Sequence, residues 1–184
     1  MKGKIEFKAL QEKDLPLMHR WLNTPHVSEW WSLEGNHHPS MEEVVKHFLP
    51  RVKGEEAVDV FIIVYDGKPI GMIQACCLDD EPKEKANFGI ERSCAGIDLF
   101  IGEEKYVHHG LGSNIIREFL RRVVFKKYNV DCCAIDPSVD NKIAIRAYEK
   151  AGFKYFKTVW YVPDKLWENI LVINREDLLR EPVK

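Results

Sequence analysis

Strand-like and helix-like segments alternate along this chain in an order that requires crossover connections. A strand-like segment at 95–102 leads into one helix, and a second at 131–137 leads into the helix 140–153. Two further strand-like segments follow, at 153–162 and 166–173. A helix between two parallel strands of one sheet forms a βαβ crossover. The order β, two helices, three β, α, β, α, β, β therefore predicts an α/β or α+β domain around one mixed sheet.

The first forty residues carry apolar patterns of both periods. Ile5 and Phe7 alternate with charged residues, which predicts a first strand, and residues 14–22 have apolar side chains at helical spacing. Ser40 and Glu43 form a capping box, which predicts that a second helix begins there.

The middle of the chain predicts a hairpin and then a less ordered stretch. The apolar segments 58–65 and 70–77 flank the turn sequence DGKP, which is typical of strand, tight turn and strand. The charged stretch 78–93 shows no periodic apolar pattern. We expect a loop or an exposed extension there.

Length and composition indicate a globular protein. The 184 residues are 45% apolar and 30% charged, which favours one domain, 1–184, with a sizeable core. The formal net charge of −2 gives no concentrated basic character, so we expect no nucleic-acid partner. No apolar run approaches the roughly 20 residues of a membrane span, and the start of the chain lacks the apolar core of a signal peptide. We expect a cytoplasmic protein with no membrane partner.

The cysteines and histidines do not predict a metal site. The five cysteines are Cys76, Cys77, Cys94, Cys132 and Cys133. Their number is odd, no C-x-x-C spacing occurs, and neighbouring strand residues point to opposite faces, so we expect buried free thiols. The histidine pairs are His37 with His38 and His108 with His109. No carboxylate or cysteine stands at ligand spacing from either pair, so no metal is expected.

The helix 140–153 has an unusual inner face. Asn141 and Tyr148 are two helical turns apart, so they share a face with the small residues Ala144 and Ala151. The Gly-Phe pair at its end predicts a Schellman-type stop. Asn141 suits a helix cap, a contact to a ligand, or both, and Tyr148 suits a core position or a functional hydroxyl.

A pair of glycines precedes the earlier helix. Gly110 and Gly112 permit positive φ and close backbone approach. Amides of a helix's first turn have no partner within the helix, so such a turn can bind an anion. The alternative is that the glycines only end one element and begin the next. The pattern is not a P-loop, because the GK[ST] ending is absent.

Together, the segments VHHGLG at 107–112 and NKIAIRAYEKAGF at 141–153 resemble the GCN5-related N-acetyltransferase (GNAT) superfamily. In that family the first motif holds the pyrophosphate of acetyl-coenzyme A, and the second flanks its pantetheine and thiol. The first motif departs from the family pattern, with Val107 in place of Arg or Gln and His108 where glycine is common. The resemblance implies the GNAT fold, a single central mixed, mostly antiparallel sheet flanked by helices.

Further short segments resemble the aminoglycoside 6'-N-acetyltransferases across about residues 1–175. These are EWW at 29–31, GKPIG followed by Gln74, GID with FIG at 96–102, and DPS at 136–138. Acyltransferases of siderophore assembly share part of this pattern. The resemblance implies acetyl-CoA as cosubstrate and a small cationic amine as acceptor, and no metal is expected. For the oligomeric state, a monomer and a homodimer are both open.

The resemblance also assigns residues to the two substrates. The coenzyme contacts it implies are Phe100, Ile101, Gly102, His108, His109, Gly110, Leu111, Gly112, Ser113, Asn141 and Tyr148. The acceptor contacts it implies are Trp30, Trp31, Gln74, Asp98 and Asp136. It further implies that a free amide in the strand 99–102 polarises the thioester carbonyl.

Acetyl transfer to an amine needs a base for the amine and an acid for the leaving thiolate. A tyrosine hydroxyl, with an ordinary pKa of about 10, keeps its proton at pH 7, and the resemblance gives the acid role to Tyr148. Asp98 lies in an apolar strand pattern, where a carboxylate needs a partner or a function. An incoming ammonium would be that partner. For Asp98 and Asp136 the alternative is a salt bridge to a basic side chain.

The leading prediction is an acetyl-CoA-dependent N-acetyltransferase that acts on an aminoglycoside-like 6'-amine by direct attack in a ternary complex. An alternative keeps the mechanism and changes the acceptor to a lysine or hydroxylysine side chain, as in siderophore assembly, or to a protein amine. A non-enzyme alternative is an acyl-CoA-binding sensor domain. Tyr148 and Asp98 favour an enzyme.

Overall fold

The structure is a computed structural model that describes residues 3–161 and 165–180. The strands are β1 (Ile5–Ala9), β2 (Val58–Tyr65), β3 (Lys68–Cys77), β4 (Cys94–Ile101), β5 (Cys132–Ile135), β6 (Lys154–Tyr161) and β7 (Leu166–Asn174). The α-helices are α1 (Leu15–Leu22), α2 (Pro25–Ser28), α3 (Met41–Val52), α4 (Pro82–Phe88), α5 (Leu111–Phe119), α6 (Phe125–Lys127), α7 (Lys142–Ala151) and α8 (Arg175–Arg180).

The seven strands form a sheet in the order β1-β2-β3-β4-β5-β7-β6. The pairs β1–β2, β5–β7 and β6–β7 are antiparallel, and β4–β5 is parallel. The mixed, mostly antiparallel sheet with flanking helices confirms the predicted fold class. Residue 162, which the sequence assigned to the sixth strand, lies outside the described residues.

The chain divides into two compact units, Met1–Gln74 with Asp98–His109 and Ala75–Ile97 with Gly110–Lys184. The prediction of one domain over 1–184 is not tested by this division and stays a prediction. In the first unit, α1 and α3 bury their apolar faces in a cluster that includes Trp21, Phe48, Met72 and Phe100. Phe48 and Trp21 are completely buried, so this cluster is the packed base from which β3 and β4 present their polar residues.

The second unit contains a buried cluster that the sequence did not reveal. Residues 78–93, which we expected to form a loop or an exposed extension, instead contain a short turn of helix and α4. Leu78, Phe88 and Ile90 from this stretch pack with Cys94 and Ile170 in one buried cluster. Most of the stretch is exposed, as expected, but the expectation of a loop was wrong because α4 is only seven residues long, too short to display a helical period in the sequence.

The helix ends follow local sequence rules. Ser40 and Glu43 form the predicted reciprocal capping box at the start of α3. At the end of α7, the amides of Gly152 and Phe153 donate to the carbonyls of Glu149 and Tyr148, which is the predicted Schellman motif. Gly152 has φ 108°, a conformation that glycine adopts without strain.

Among the described residues, no helix combines the length and the apolar character that a membrane crossing requires.

Replacing Ser40 by alanine tests the capping box. The variant loses the hydroxyl that accepts from the Glu43 amide, so we expect the free energy of unfolding to fall by about 1 kcal/mol. Urea unfolding of wild type and variant measures the difference. The control Lys46→Ala changes an exposed residue of the same helix and should have less than half that effect. Equal losses in the two variants would contradict the capping role.

Candidate active site

The start of α5 offers backbone amides to an anion. Gly110 is the N-cap of this nine-residue helix, with φ 71° in the left-handed region, and it provides no side-chain cap. The N–H groups of the first turn, formed by Leu111, Gly112 and Ser113, lie at the positive end of the helix dipole. Backbone conformation therefore explains Gly110, and the turn has the chemistry of a phosphate site.

The space that a side chain at position 112 would occupy is largely empty of other described residues. A Cβ built on Gly112 would meet only Ala147 of α7, at 3.5 Å, which is an ordinary contact. Crowding within the described residues therefore does not explain this glycine. A glycine here does leave the amides of the first turn open to a phosphate oxygen, so the residues present fit the pyrophosphate of coenzyme A.

The two histidines before the loop are exposed, and one has an unusual backbone conformation. His108 has φ 66°, the left-handed region in which glycine is preferred. This position is where the GNAT motif commonly has glycine, and His108 adopts here a backbone conformation that glycine favours. His108 and His109 stay predicted coenzyme contacts.

The first turn of α5 lies against α7, the helix with the unusual inner face. Besides the approach of Gly112 to Ala147, the Arg117 guanidinium of α5 donates to the carbonyl of Ala151 at the end of α7, at 3.1 Å. The structure thus brings the glycine loop and the Asn141–Tyr148 helix together within the second unit.

Asn141 and Tyr148 are held in different ways on α7. Asn141 is the N-cap, and its Oδ1 accepts from the Ala144 amide at 3.0 Å, which leaves its side-chain NH₂ group for other contacts. Tyr148 is 7% exposed and packs edge-on against Phe153, with ring centroids 6.1 Å apart. The ring is therefore fixed by packing, which is what a hydroxyl that must meet one sulfur atom requires.

In the first unit, β3 and β4 bring together two of the predicted acceptor residues. The Gln74 amide Nε2 donates to the Asp98 carboxylate Oδ2 at 2.9 Å, and Gln74 Oε1 accepts from the Arg51 guanidinium at 3.1 Å. Asp98 is half-buried. This burial raises the pKa of the Asp98 carboxyl above its usual value, while the Gln74 hydrogen bond and the Arg51 charge act in the opposite direction.

Arg51 is a residue that sequence reasoning missed. It lies near the end of α3, 23 positions from Gln74, and no local motif marks it as part of the site. The alternative considered for Asp98 was a direct salt bridge to a basic side chain. The structure instead interposes the Gln74 amide between carboxylate and guanidinium.

Trp31 presents an unused hydrogen-bond donor near this carboxylate. Its ring packs edge-on against Phe100, 5.1 Å between centroids, and Phe100 is two residues from Asp98 on the same face of β4. Its Nε1 is buried and has no partner among the described residues. A buried unpaired N–H is costly, so a bound ligand oxygen is a chemically suitable partner. Trp30, the other predicted aromatic contact, is 43% exposed.

The structure explains the glycine at position 102 by packing rather than by a free amide for the thioester. Its amide donates to the Ile70 carbonyl at 2.8 Å, so it is not a free donor for the thioester carbonyl. A Cβ on Gly102 would lie 2.2 Å from the Trp21 ring, so glycine is required here by packing. The amides of 99–101 stay the predicted donors, and Phe100, Ile101 and Gly102 stay predicted coenzyme contacts.

Asp136 directly follows β5 and is half-buried. The next residue, Pro137, accepts from the Asn169 amide of β7 at 2.9 Å, which fixes the backbone at this point. Asp136 therefore lies in the second unit, in the segment between β5 and α7, and stays a predicted acceptor contact.

The cysteines are free. Cys94, Cys132 and Cys133 are buried as predicted, whereas Cys76 and Cys77 are half-buried. Within residues 3–161 and 165–180, no group of three or more His, Cys, Asp or Glu side chains is arranged to hold a metal ion. The predicted site residues therefore form two groups, one in each unit. The first unit contains the Asp98 carboxylate, which is linked to Arg51 through the Gln74 amide, and the second unit contains the backbone amides at the start of α5.

Comparisons with known proteins agree with this chemistry. Residues 11–160 match the family described as acetyltransferase (GNAT) domain. The aminoglycoside N(6')-acetyltransferase type 1 of Klebsiella pneumoniae is 32% identical over 159 residues, which covers 84% of this chain and 76% of the relative.

Solved structures share the fold. The structure of AAC(6')-Ib in complex with ribostamycin and coenzyme A has a TM-score of 0.81 at 27% identity, over 98% of this chain and 99% of that chain. Spermidine N-acetyltransferase from Vibrio cholerae, in complex with CoA and spermine, has a TM-score of 0.74 at 18% identity, over 96% and 98%. The latter shows the fold alone. From the family match and the identity to its relative, the chain belongs to the GNAT acetyltransferase family and is an N-acetyltransferase.

Proposed function

We propose that this protein transfers the acetyl group of acetyl-CoA to the 6'-amine of an aminoglycoside. The observation that carries the proposal is the half-buried Asp98 carboxylate, held by Gln74 in the same unit as the Trp31 N–H, which has no partner among the described residues. Such a site supplies one anion for an ammonium and one donor for a substrate oxygen. Relatives named as aminoglycoside 6'-acetyltransferases, and structures of such enzymes with ribostamycin or kanamycin, support this acceptor class.

Coenzyme A would bind through the second unit. The first-turn amides of Leu111, Gly112 and Ser113 would hold its pyrophosphate, and the NH₂ group of Asn141 would contact its pantetheine arm. His108 and His109 would add contacts on the approach to this loop. Structures of relatives in complex with coenzyme A support acetyl-CoA as the cosubstrate. No metal ion has a part in the proposed reaction.

The reaction joins the acceptor nitrogen to the carbonyl carbon of the thioester and breaks the carbon–sulfur bond. The Asp98 carboxylate takes the proton that the amine loses, directly or through one water molecule. A backbone amide of residues 99–101 stabilises the carbonyl oxygen as charge develops on it. The hydroxyl of Tyr148 gives its proton to the leaving thiolate, and the tyrosine recovers a proton from solvent.

Asp136 would add a second carboxylate for a polycationic acceptor, and Trp30 and Trp31 would contact its rings. The cytoplasmic location and the choice between monomer and homodimer stay predictions from the sequence.

A panel of acceptors tests the acceptor class. Release of free thiol from acetyl-CoA should be fastest with aminoglycosides that have a free 6'-amine, and slow with polyamines, lysine derivatives and peptides. The matched comparison is an aminoglycoside with a hydroxyl at the 6' position, which should be inert if the 6'-amine is acetylated. If 6'-amine aminoglycosides are inert and a lysine derivative is turned over, the siderophore-type alternative replaces this one.

Tyr148→Phe tests the acid role. Because only the hydroxyl is removed, the packing against Phe153 persists, and we expect kcat to fall by about 100-fold. Calorimetry should show acetyl-CoA binding within a few-fold of wild type. The control Tyr155→Phe removes an exposed hydroxyl on β6 and should leave kcat unchanged. Equal turnover in wild type and Tyr148→Phe would remove the acid role.

Asp98→Asn tests the base role and separates it from a structural one. The pKa of the Asp98 carboxyl is raised in the folded state by burial, so its contribution to stability is full at low pH and is lost as pH rises through that pKa. The neutral asparagine avoids this loss. We therefore expect the variant to gain stability relative to wild type as pH rises, while kcat/KM falls by about 100-fold.

Urea unfolding at several pH values and steady-state kinetics measure these two effects. The control Asp80→Asn changes an exposed carboxylate and should alter neither. A variant that is both active and less stable than wild type at neutral pH would show that Asp98 is a structural residue.

A further inference from the structure

A row of four polar side chains ends at the Asp98 carboxylate. Glu56 Oε2 accepts from Arg51 Nε at 2.9 Å, Arg51 Nη1 donates to Gln74 Oε1 at 3.1 Å, and Gln74 Nε2 donates to Asp98 Oδ2 at 2.9 Å. All four residues belong to the first unit. Only the outermost one, Glu56, has a side chain that is largely in solvent, at 46% exposure against 15% for Arg51.

Arg51 decides which way the Gln74 amide points. A guanidinium has only hydrogen-bond donors, so it cannot accept from the NH₂ group of Gln74. It therefore pairs with the side-chain carbonyl oxygen of Gln74. The NH₂ group is then directed at Asp98. In the reversed orientation two donors would face each other at Arg51 and two oxygens would face each other at Asp98. Arg51 and Asp98, the charged groups on the two sides of the Gln74 amide, therefore exclude one of its two orientations.

The Arg51 side chain is itself held in place. Its guanidinium lies over the Phe48 ring, 5.8 Å from the centroid, and Phe48 is completely buried. The Glu56 carboxylate accepts a hydrogen bond from the Arg51 Nε at 2.9 Å. Because the ring and the carboxylate both hold the guanidinium, it is a rigid donor rather than a mobile surface charge.

The row occupies only one of the two carboxylate oxygens of Asp98. Among residues 3–161 and 165–180, Gln74 donates to Oδ2 of Asp98, and no donor is directed at Oδ1. We propose that Arg51 is a positioning residue of the acetyl transfer: through the Gln74 amide it fixes the Asp98 carboxylate with Oδ1 directed to the acceptor amine. This assignment rests on the proposed function, because it gives Asp98 the role of proton acceptor.

The charges around the row explain how Arg51 would act on the pH dependence. The groups that face Asp98 are Gln74 from β3 and Arg51 from α3, and both lower its pKa against the larger effect of burial. His47, also on α3, has its pKa lowered to about 4 by burial and by the Arg51 charge, so it is neutral at working pH. Glu56 pairs with Arg51 on the far side. Arg51 is thus the cation that favours the ionised, proton-accepting form of Asp98.

Arg51→Met removes the donor and keeps an apolar stem against Phe48. We expect kcat/KM for the acceptor to fall by about tenfold, and the acidic limb of its pH profile to move to higher pH. The KM for acetyl-CoA should not change. Arg51→Lys restores a charged donor and should recover part of the loss. The control Arg180→Met breaks an exposed ion pair with Glu176 and should have no effect on either parameter.

A double-mutant cycle with Gln74→Met shows whether Arg51 acts through the amide. In the Gln74→Met background, Arg51→Met should lower kcat/KM by less than about twofold, because the connection is already broken. If the two losses multiply instead, Arg51 acts independently of Gln74 and the proposal is overturned.

A titration of the Asp98 carboxyl by ¹³C NMR gives a readout that needs no turnover, with the signal assigned from its absence in Asp98→Asn. Arg51→Met should move the midpoint to higher pH, and Arg51→Lys should move it less. If wild type acetylates no aminoglycoside and the midpoint still moves, the acceptor assignment fails and the positioning role stands. If Arg51→Lys and Arg51→Met, both folded by circular dichroism, match wild type in midpoint and in pH profile, the positioning role fails.

Discussion

A carboxylate on a buried strand must find hydrogen-bond donors or lose its charge, and this constraint organises the first unit of the protein. Asp98 meets it with one donor, the Gln74 amide, whose own orientation is set by Arg51. Burial raises the pKa of Asp98, which makes the carboxylate a better proton acceptor than an exposed one. The apolar cluster below, which holds Phe48 and Phe100, keeps this arrangement rigid.

In the second unit, the backbone N–H and C=O groups at the helix ends need hydrogen-bond partners. At the end of α7 the Schellman motif pairs them within the chain, and at its start Asn141 does so with a side chain. At the start of α5, Gly110 provides no side-chain cap, and Gly112 keeps the space beside the amides open. The start of α5 is therefore the helix end suited to an external anion, which is the chemistry that a coenzyme pyrophosphate requires.

Several positions show which structural features the sequence predicted and which it missed. The coenzyme motifs are local, since a cap, a turn glycine and residues at helical spacing lie within a few positions of one another. Gly102 shows the opposite case, because its amide bonds to Ile70 and its missing Cβ accommodates Trp21, both distant in sequence. The burial of Leu78, Phe88 and Ile90 in the otherwise mostly exposed stretch 78–93 was missed for the same reason. Its few apolar residues gain their burial from partners elsewhere in the chain.

The sequence by itself determined the seven strands in chain order with the helices α1, α3, α5 and α7, the capping box of α3, the glycine stop of α7 and the pair of motifs that identify a GNAT chain. These features depend on backbone conformation and side-chain period over short spans, which residue type controls directly. Only the tertiary structure decided that Arg51 reaches Gln74 and that Gln74, rather than a cation, meets Asp98. Those contacts join residues separated by 23 and 24 positions, and chain folding alone brings such residues within hydrogen-bond distance.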